Sequence, residues 1–176
     1  MNAVHSLFPQ VLISMQRVED AEGMENYIKR ISATETAMDQ LIAASKKNAE
    51  TGVRPPYFSF ESVINESTKI MSGAPFDSAD DSALWADAQA KIASLLEENK
   101  IDQAQADTLV AKTKTALLEN FKPAYEKLIA WQKEDKKNTK LAAQGVSELP
   151  NGDAFYNERL ANQTTTTLTA NEIHEI

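Results

Sequence analysis

The chain of 176 residues has no cysteine, five glycines, six prolines and two histidines. Without cysteine there is no disulfide, thiolate metal site or cysteine nucleophile. So few breakers, set among abundant Ala, Leu, Lys, Glu and Gln, favour helix over strand. No apolar run approaches the roughly 20 residues that a membrane-spanning helix requires. Leu7 to Met15 is fairly apolar, but Pro9 interrupts it and no basic region precedes it, so it does not read as a signal peptide. Positive charge is also short: 18 Lys and Arg against 26 Asp and Glu leave −8. A chain this acidic repels a phosphate backbone, which argues against nucleic acid as a partner.

The charge that is present is uneven. Asp77 to Asp107 holds eight acids and two lysines, whereas Lys112 to Lys140 holds eight lysines and four acids. The two runs either pair as neighbouring helices or form two solvated faces.

Apolar periodicity is helical. The expected architecture is one all-α domain over residues 1–176: an irregular bundle of about seven to eight helices, with a long antiparallel hairpin and no significant sheet. Helices are expected near 4–18, 21–31, 34–50, 60–71, 80–99, 102–137, 152–162 and 170–176. Ser32-Ala33-Thr34-Glu35 and Thr169-Ala170-Asn171-Glu172 both have capping-box spacing. Gly52 is placed to stop a helix, and Pro55-Pro56 to keep the chain extended. Ser59 and Asp102 are candidate N-caps. Leu117, Phe121, Ala124, Leu128 and Trp131 recur at four, three, four and three residues, close to a heptad seam, with Pro123 inside it as an expected kink or break. Trp85, Tyr125, Phe121 and Trp131 fall on apolar stripes and read as core. Asn138 to Pro150 reads as a loop. Phe155, Tyr156 and Leu160 read as the inward face of a short helix, and Thr164 to Thr167 as a polar extended run.

Chemistry is scarce. His5 and His174 are far apart, and His174-Glu175 has no second histidine after it. There is no G-x-S-x-G and no glycine-rich phosphate loop. Asp77, Asp80 and Asp81 lack the glycine and closing glutamate of a calcium loop and read as helix-capping acids. Catalytic and metal-ligating residues are therefore expected to be none in this chain. The candidates for a substrate-cleft wall are Tyr156, Arg159, Thr164, Thr165, Thr166 and Thr167. Polar backbone and hydroxyl groups beside an aromatic helix can pair with a peptide. The competing account is that the hydroxyls cap helix ends and Arg159 pairs on the surface.

Leu149-Pro150-Asn151-Gly152-Asp153-Ala154-Phe155-Tyr156, followed by Thr164-Thr165-Thr166-Thr167-Leu168-Thr169-Ala170-Asn171-Glu172-Ile173-His174, resembles the pattern L-P-x-G-x-x-Y-Y then T-T-T-x-L-T-x-x-E-I-H. That pattern belongs to the bacterial domain-of-unknown-function family eight-eight-five. Tyr27-Ile28-Lys29-Arg30-Ile31, Gly52-Val53-Arg54-Pro55-Pro56 and Pro123-Ala124-Tyr125 with Leu128 resemble its earlier segments in the same order. Phe155 departs from it where the pattern has a first tyrosine. The resemblance implies a longer, largely helical, zinc-peptidase-like protein whose H-E-x-x-H-type signature lies downstream, and none of whose zinc ligands matches a residue here. It further implies export or lipid anchoring, as in many members, though the residues themselves leave a cytoplasmic location open. On this basis the chain is expected to be an N-terminal, non-catalytic part that shapes or covers a substrate cleft, with residues 164–176 continuing into the remainder. Its partners would be that remainder and peptides. The alternative is a self-sufficient helical interaction module.

Overall fold

The computed structural model describes residues 4–77, 80–142 and 145–176. Its elements are α1 (Val4–Met15), α2 (Ala21–Ser32), α3 (Thr34–Glu50), α4 (Tyr57–Ile70), α5 (Ala83–Glu97), α6 (Gln103–Ala116), a π-helical turn (Leu117–Phe121), α7 (Lys122–Asp135), 3-10 turns at Lys136–Asn138 and Val146–Glu148, α8 (Gly152–Thr164) and α9 (Ala170–His174). There is no strand among the described residues, only an isolated bridge between Ala74 and Asp81. The all-α bundle is as expected, and α5 and α6 form its antiparallel hairpin.

The rod made by α6, the π turn and α7 is the centre of the bundle. Helices α2 and α5 pack on its first half, α3 and α4 on its second, and α1 lies across α4 and α5. Ala106, Leu109, Thr113 and Ala116 give the first half its buried face, and the heptad seam gives the second half its own. Leu117, Phe121 and Ala124 are fully buried, as is Tyr125 beside them, and Leu128 nearly so. Each large side chain taken from water contributes about 1.5–3 kcal/mol. Phe121 stacks on Tyr125 with ring centroids 4.6 Å apart. Trp85 is buried as expected, while Trp131, half-buried at the far end, donates its indole N–H to Ser45 Oγ at 3.0 Å.

Proline does not break the rod. Pro123 has no N–H to offer the carbonyl one helical turn earlier. The ladder widens just before it instead, and Lys122 N–H donates to Leu117 O across five residues. One inserted π turn absorbs the mismatch without a break.

Several boundaries differ from the periodicity. Helix α1 ends at Met15 rather than near 18, because Asp20 takes an extended backbone and caps α2, its carboxylate accepting from Gly23 N–H at 2.7 Å. The Ser32–Glu35 capping box does not form. Ser32 still belongs to α2, Ala33 alone separates the helices, and Glu35 pairs with Lys127 at 3.1 Å. Helix α4 starts at Tyr57, before Ser59, since a proline restricts its predecessor and not its successor. Helix α5 starts at Ala83 rather than 80: Asp80 is held in the loop, its carbonyl accepting from Ala74 N–H at 3.0 Å. Gly52 ends α3 as expected. At φ 81° it lets Val53 N–H reach Asn48 O at 2.9 Å and its own N–H reach Ala49 O, the Schellman pattern. Asp102 also acts as expected, in a reciprocal capping box with Gln105. Residues 138–150 form a loop with one 3-10 turn, of which 143 and 144 lie outside the described residues.

The basic run uses its charge across the bundle. Lys112 pairs with Glu25 of α2, Lys127 with Glu35 and Asp39 of α3, and Lys136 with Glu61 of α4. Within the acidic run, Asp87 pairs with Lys91 and Glu98 with Lys100. Those that are exposed, such as Lys112–Glu25 and Lys127–Glu35, contribute between zero and about 1 kcal/mol each. Their pattern follows from the rod lying among α2, α3 and α4.

Candidate functional site

The sequence candidates lie on α8 and the turn after it. Asn151, in left-handed geometry at φ 57°, turns the chain into α8. Gly152 follows and cannot be replaced in place: a Cβ there would stand 1.8 Å from Val146 O. The L-P-x-G segment is thus the close approach of a 3-10 turn to a helix start, closed by Gly152 N–H donating to Leu149 O at 2.8 Å.

Gly152 is the buried residue of α8. Phe155 and Tyr156, expected inward, are 52% and 44% exposed, and Leu160 is half-buried. This is a correction with a plain cause: α8 packs on the Val146–Glu148 turn, and the rod and its four helices are engaged with one another. Arg159 sits on the same outer surface. Its guanidinium lies 5.5 Å from the centre of the Phe155 ring, and its Nε is 3.8 Å from Glu158 Oε2.

The threonine run is not extended throughout. Thr164 is the last residue of α8, and Thr165 caps it in left-handed geometry at φ 55°. The hydroxyls are engaged locally. Thr164 Oγ1 donates to Leu160 O at 2.8 Å and lies 3.0 Å from Thr166 Oγ1, and Thr165 Oγ1 donates to Thr164 O at 2.7 Å. Helix ends leave carbonyls without donors, and these short side chains supply them. Thr167 continues into the link to α9, where the Thr169–Glu172 capping box forms in full. Two bonds from Thr169 hold the Glu172 carboxyl below its ordinary range. Tyr156, Arg159 and the four threonines thus share one short helix–turn unit, with Tyr156 and Arg159 outward.

His174 is exposed at the end of α9, whereas His5 is buried with Nε2 3.0 Å from Glu66 Oε2. Among the described residues no group of three or more His, Cys, Asp or Glu is placed to hold a metal, so the zinc implied by the resemblance has no fitting donor set there. No described helix is long and apolar enough to cross a membrane.

A second feature was not legible in the sequence beyond the Gly52–Pro56 segment that contains it. The α3–α4 connection and the chain after α7 flank an open cavity of about 350 Å³, lined in part by Arg54, Pro55, Pro56, Thr139, Lys140 and Leu149. Arg54 Nε donates to Asp135 Oδ1 at 2.9 Å, and Asp135 is 2% exposed. A lone arginine before two prolines carries no motif, and Asp135 lies 81 residues away.

The fold is similar to a solved one. The crystal structure of the putative lipoprotein from Colwellia psychrerythraea superposes with a TM-score of 0.84 at 16% identity, over 96% of this chain and 27% of that chain. This chain therefore spans about a quarter of that protein's length. No curated protein matches it in sequence. A family model matches residues 1–176 in full, and the chain belongs to the family described as Bacterial protein of unknown function (DUF885).

Proposed function

We propose that this chain is the N-terminal helical part of a longer zinc-peptidase-like bacterial protein, in which it shapes the wall of a substrate cleft and leaves the chemistry to the remainder. The observation that carries this reading is the outer surface of α8. Phe155 and Tyr156 stand half-exposed beside Arg159 on an element that packs on the turn before it. Two neighbouring aromatic rings left open to solvent support a binding face there. The 27% coverage of the similar Colwellia chain supports further polypeptide around such a unit. That protein's description as a lipoprotein supports an exported or lipid-anchored setting here. In this reading Tyr156 packs on a bound peptide, Arg159 meets a carboxylate with its planar fork, and Thr164 to Thr167 hold the turn that aims them. Zinc, if bound, belongs to donors outside the described residues.

The test uses the full-length gene product. Tyr156→Ala with Arg159→Ala is expected to raise KM for peptide hydrolysis severalfold, with the melting temperature unchanged. Wild-type kinetics per folded molecule would refute the assignment. A reading frame without a downstream H-E-x-x-H-type segment would refute the peptidase part.

A further inference from the structure

We infer that the Arg54 cavity is a binding site for a monocarboxylate with a small apolar body, such as the C-terminal residue of a peptide, and that Arg54 is its anion receptor. This goes beyond the cleft-wall reading and does not depend on it. The cavity, about 350 Å³, falls within the range of small-molecule sites. Three features make it a site rather than a crevice.

The first is a held but unfilled guanidinium. Arginine carries five N–H donors in a planar fork. Here Nε is engaged with Asp135, and among the described residues the terminal Nη groups make no hydrogen bond. Buried Asp135 fixes the plane of the fork, and the rigid Pro55-Pro56 pair fixes the backbone that carries it. Such an arrangement binds with little ordering cost.

The second is an orphan. Thr139 lines the same cavity, and its Oγ1 is buried behind that wall without a hydrogen-bond partner among the described residues, where a turn about χ1 would present it to a ligand. A buried hydroxyl without a partner is costly and calls for one. The third is the wall. Pro55, Pro56, Val146 and Leu149 supply apolar surface, and Lys140 adds a second positive charge. Asp135 behind the fork, and the chain's charge of −8, favour a monoanion over a dianionic phosphate.

The experiment titrates the full-length gene product with N-acetylleucine, N-acetylleucinamide and inorganic phosphate, by calorimetry and by NMR of the Arg54 side chain. N-acetylleucine is expected to bind saturably and shift the Arg54 Nε–H resonance. The amide should bind about tenfold or more weakly, the loss of a charge-assisted hydrogen bond. Arg54→Lys should lose about the same factor while keeping the pair to Asp135. Equal binding of acid and amide, no saturable binding, or phosphate binding as tightly as N-acetylleucine would each overturn the proposal. Should Arg54→Lys fail to fold, Thr139→Val decides. It keeps the ion pair and should weaken N-acetylleucine severalfold, and wild-type affinity in that variant would overturn the site.

Discussion

The hydroxyl of Tyr125 donates to the backbone carbonyl of His5 at 2.5 Å, across 120 residues. This is the carbonyl that Pro9 leaves without its helical donor. Pro9 lies inside α1, four residues after His5, and has no N–H to give. A helix that would otherwise bury an unsatisfied acceptor is completed by a side chain of α7. The same bond pins α1 to the central rod.

That relationship makes a prediction about coupling. Tyr125→Phe should cost about 1–3 kcal/mol, the range for a buried acceptor left alone. In a Pro9→Ala background, the restored N–H reaches His5 O and the cost of Tyr125→Phe should shrink. Urea denaturation of the four proteins in the double-mutant cycle measures this. Additive losses would show that the two groups do not share the carbonyl.

Alkaline pH should destabilise the bundle early. Burial raises the Tyr27 phenol, with its hydrogen bond to Asp87 Oδ2 at 2.7 Å adding to the effect, and burial alone raises Tyr125. Both stay protonated in the folded state at pH values where the unfolded chain, with ordinary tyrosine near 10, releases its protons. The unfolded state then binds fewer protons, so stability is fully present below about pH 10 and falls as pH rises above it. Denaturant midpoints between neutral pH and the alkaline limb check the slope. Tyr27→Phe should flatten it by up to one proton.

Acid should loosen α9 before the core. Glu172 is held below its ordinary range by bonds from Thr169, so its contribution is present above the usual glutamate pKa, about 4.3, and is lost as pH falls through the lower folded value. Amide exchange at Thr169 and Glu172 should accelerate over that interval while amides of α7 remain protected. Thr169→Ala should abolish the pH dependence at those sites.

Gly152→Ala should detach α8 without unfolding the bundle. The added Cβ collides with the Val146 backbone, and backbone yields less readily than a side-chain tip. Heteronuclear relaxation should show residues 152–176 tumbling faster, with shifts in α2 to α7 unchanged. An intact α8 in that variant would show that the turn can move aside.

Much of the fold was legible because it rests on local rules. The 117–131 seam has a helical period, and burying it needs only neighbours of matching length. Gly52 and Asp102 act through their own backbone and first-turn groups. Ser32 and Ser59 misled for one reason: a hydroxyl signals a cap only where the chain leaves the helix. At Ser32 it did not, since α2 passes to α3 through Ala33 alone. At Ser59 the helix had already begun after Pro56.

The candidate site was legible in part. The Thr169–Glu172 box and the Gly152 turn are local, and both motifs stand in the sequence as they stand in space. Whether Phe155 and Tyr156 face inward was not, because an apolar stripe says which residues share a side and not whether anything lies opposite. The sequence alone settled the helical period and the caps at Gly52, Asp102 and Thr169, since these depend on bonds within a few residues, whereas the unbroken passage of the rod through Pro123 was decided by the π turn. Only the tertiary structure decided which lysine meets which acid, that Tyr125 serves the carbonyl Pro9 orphaned, and that Arg54 stands over a cavity held by Asp135. These contacts across the bundle join residues 75 to 120 positions apart, where spacing along the chain carries no information and packing sets every distance.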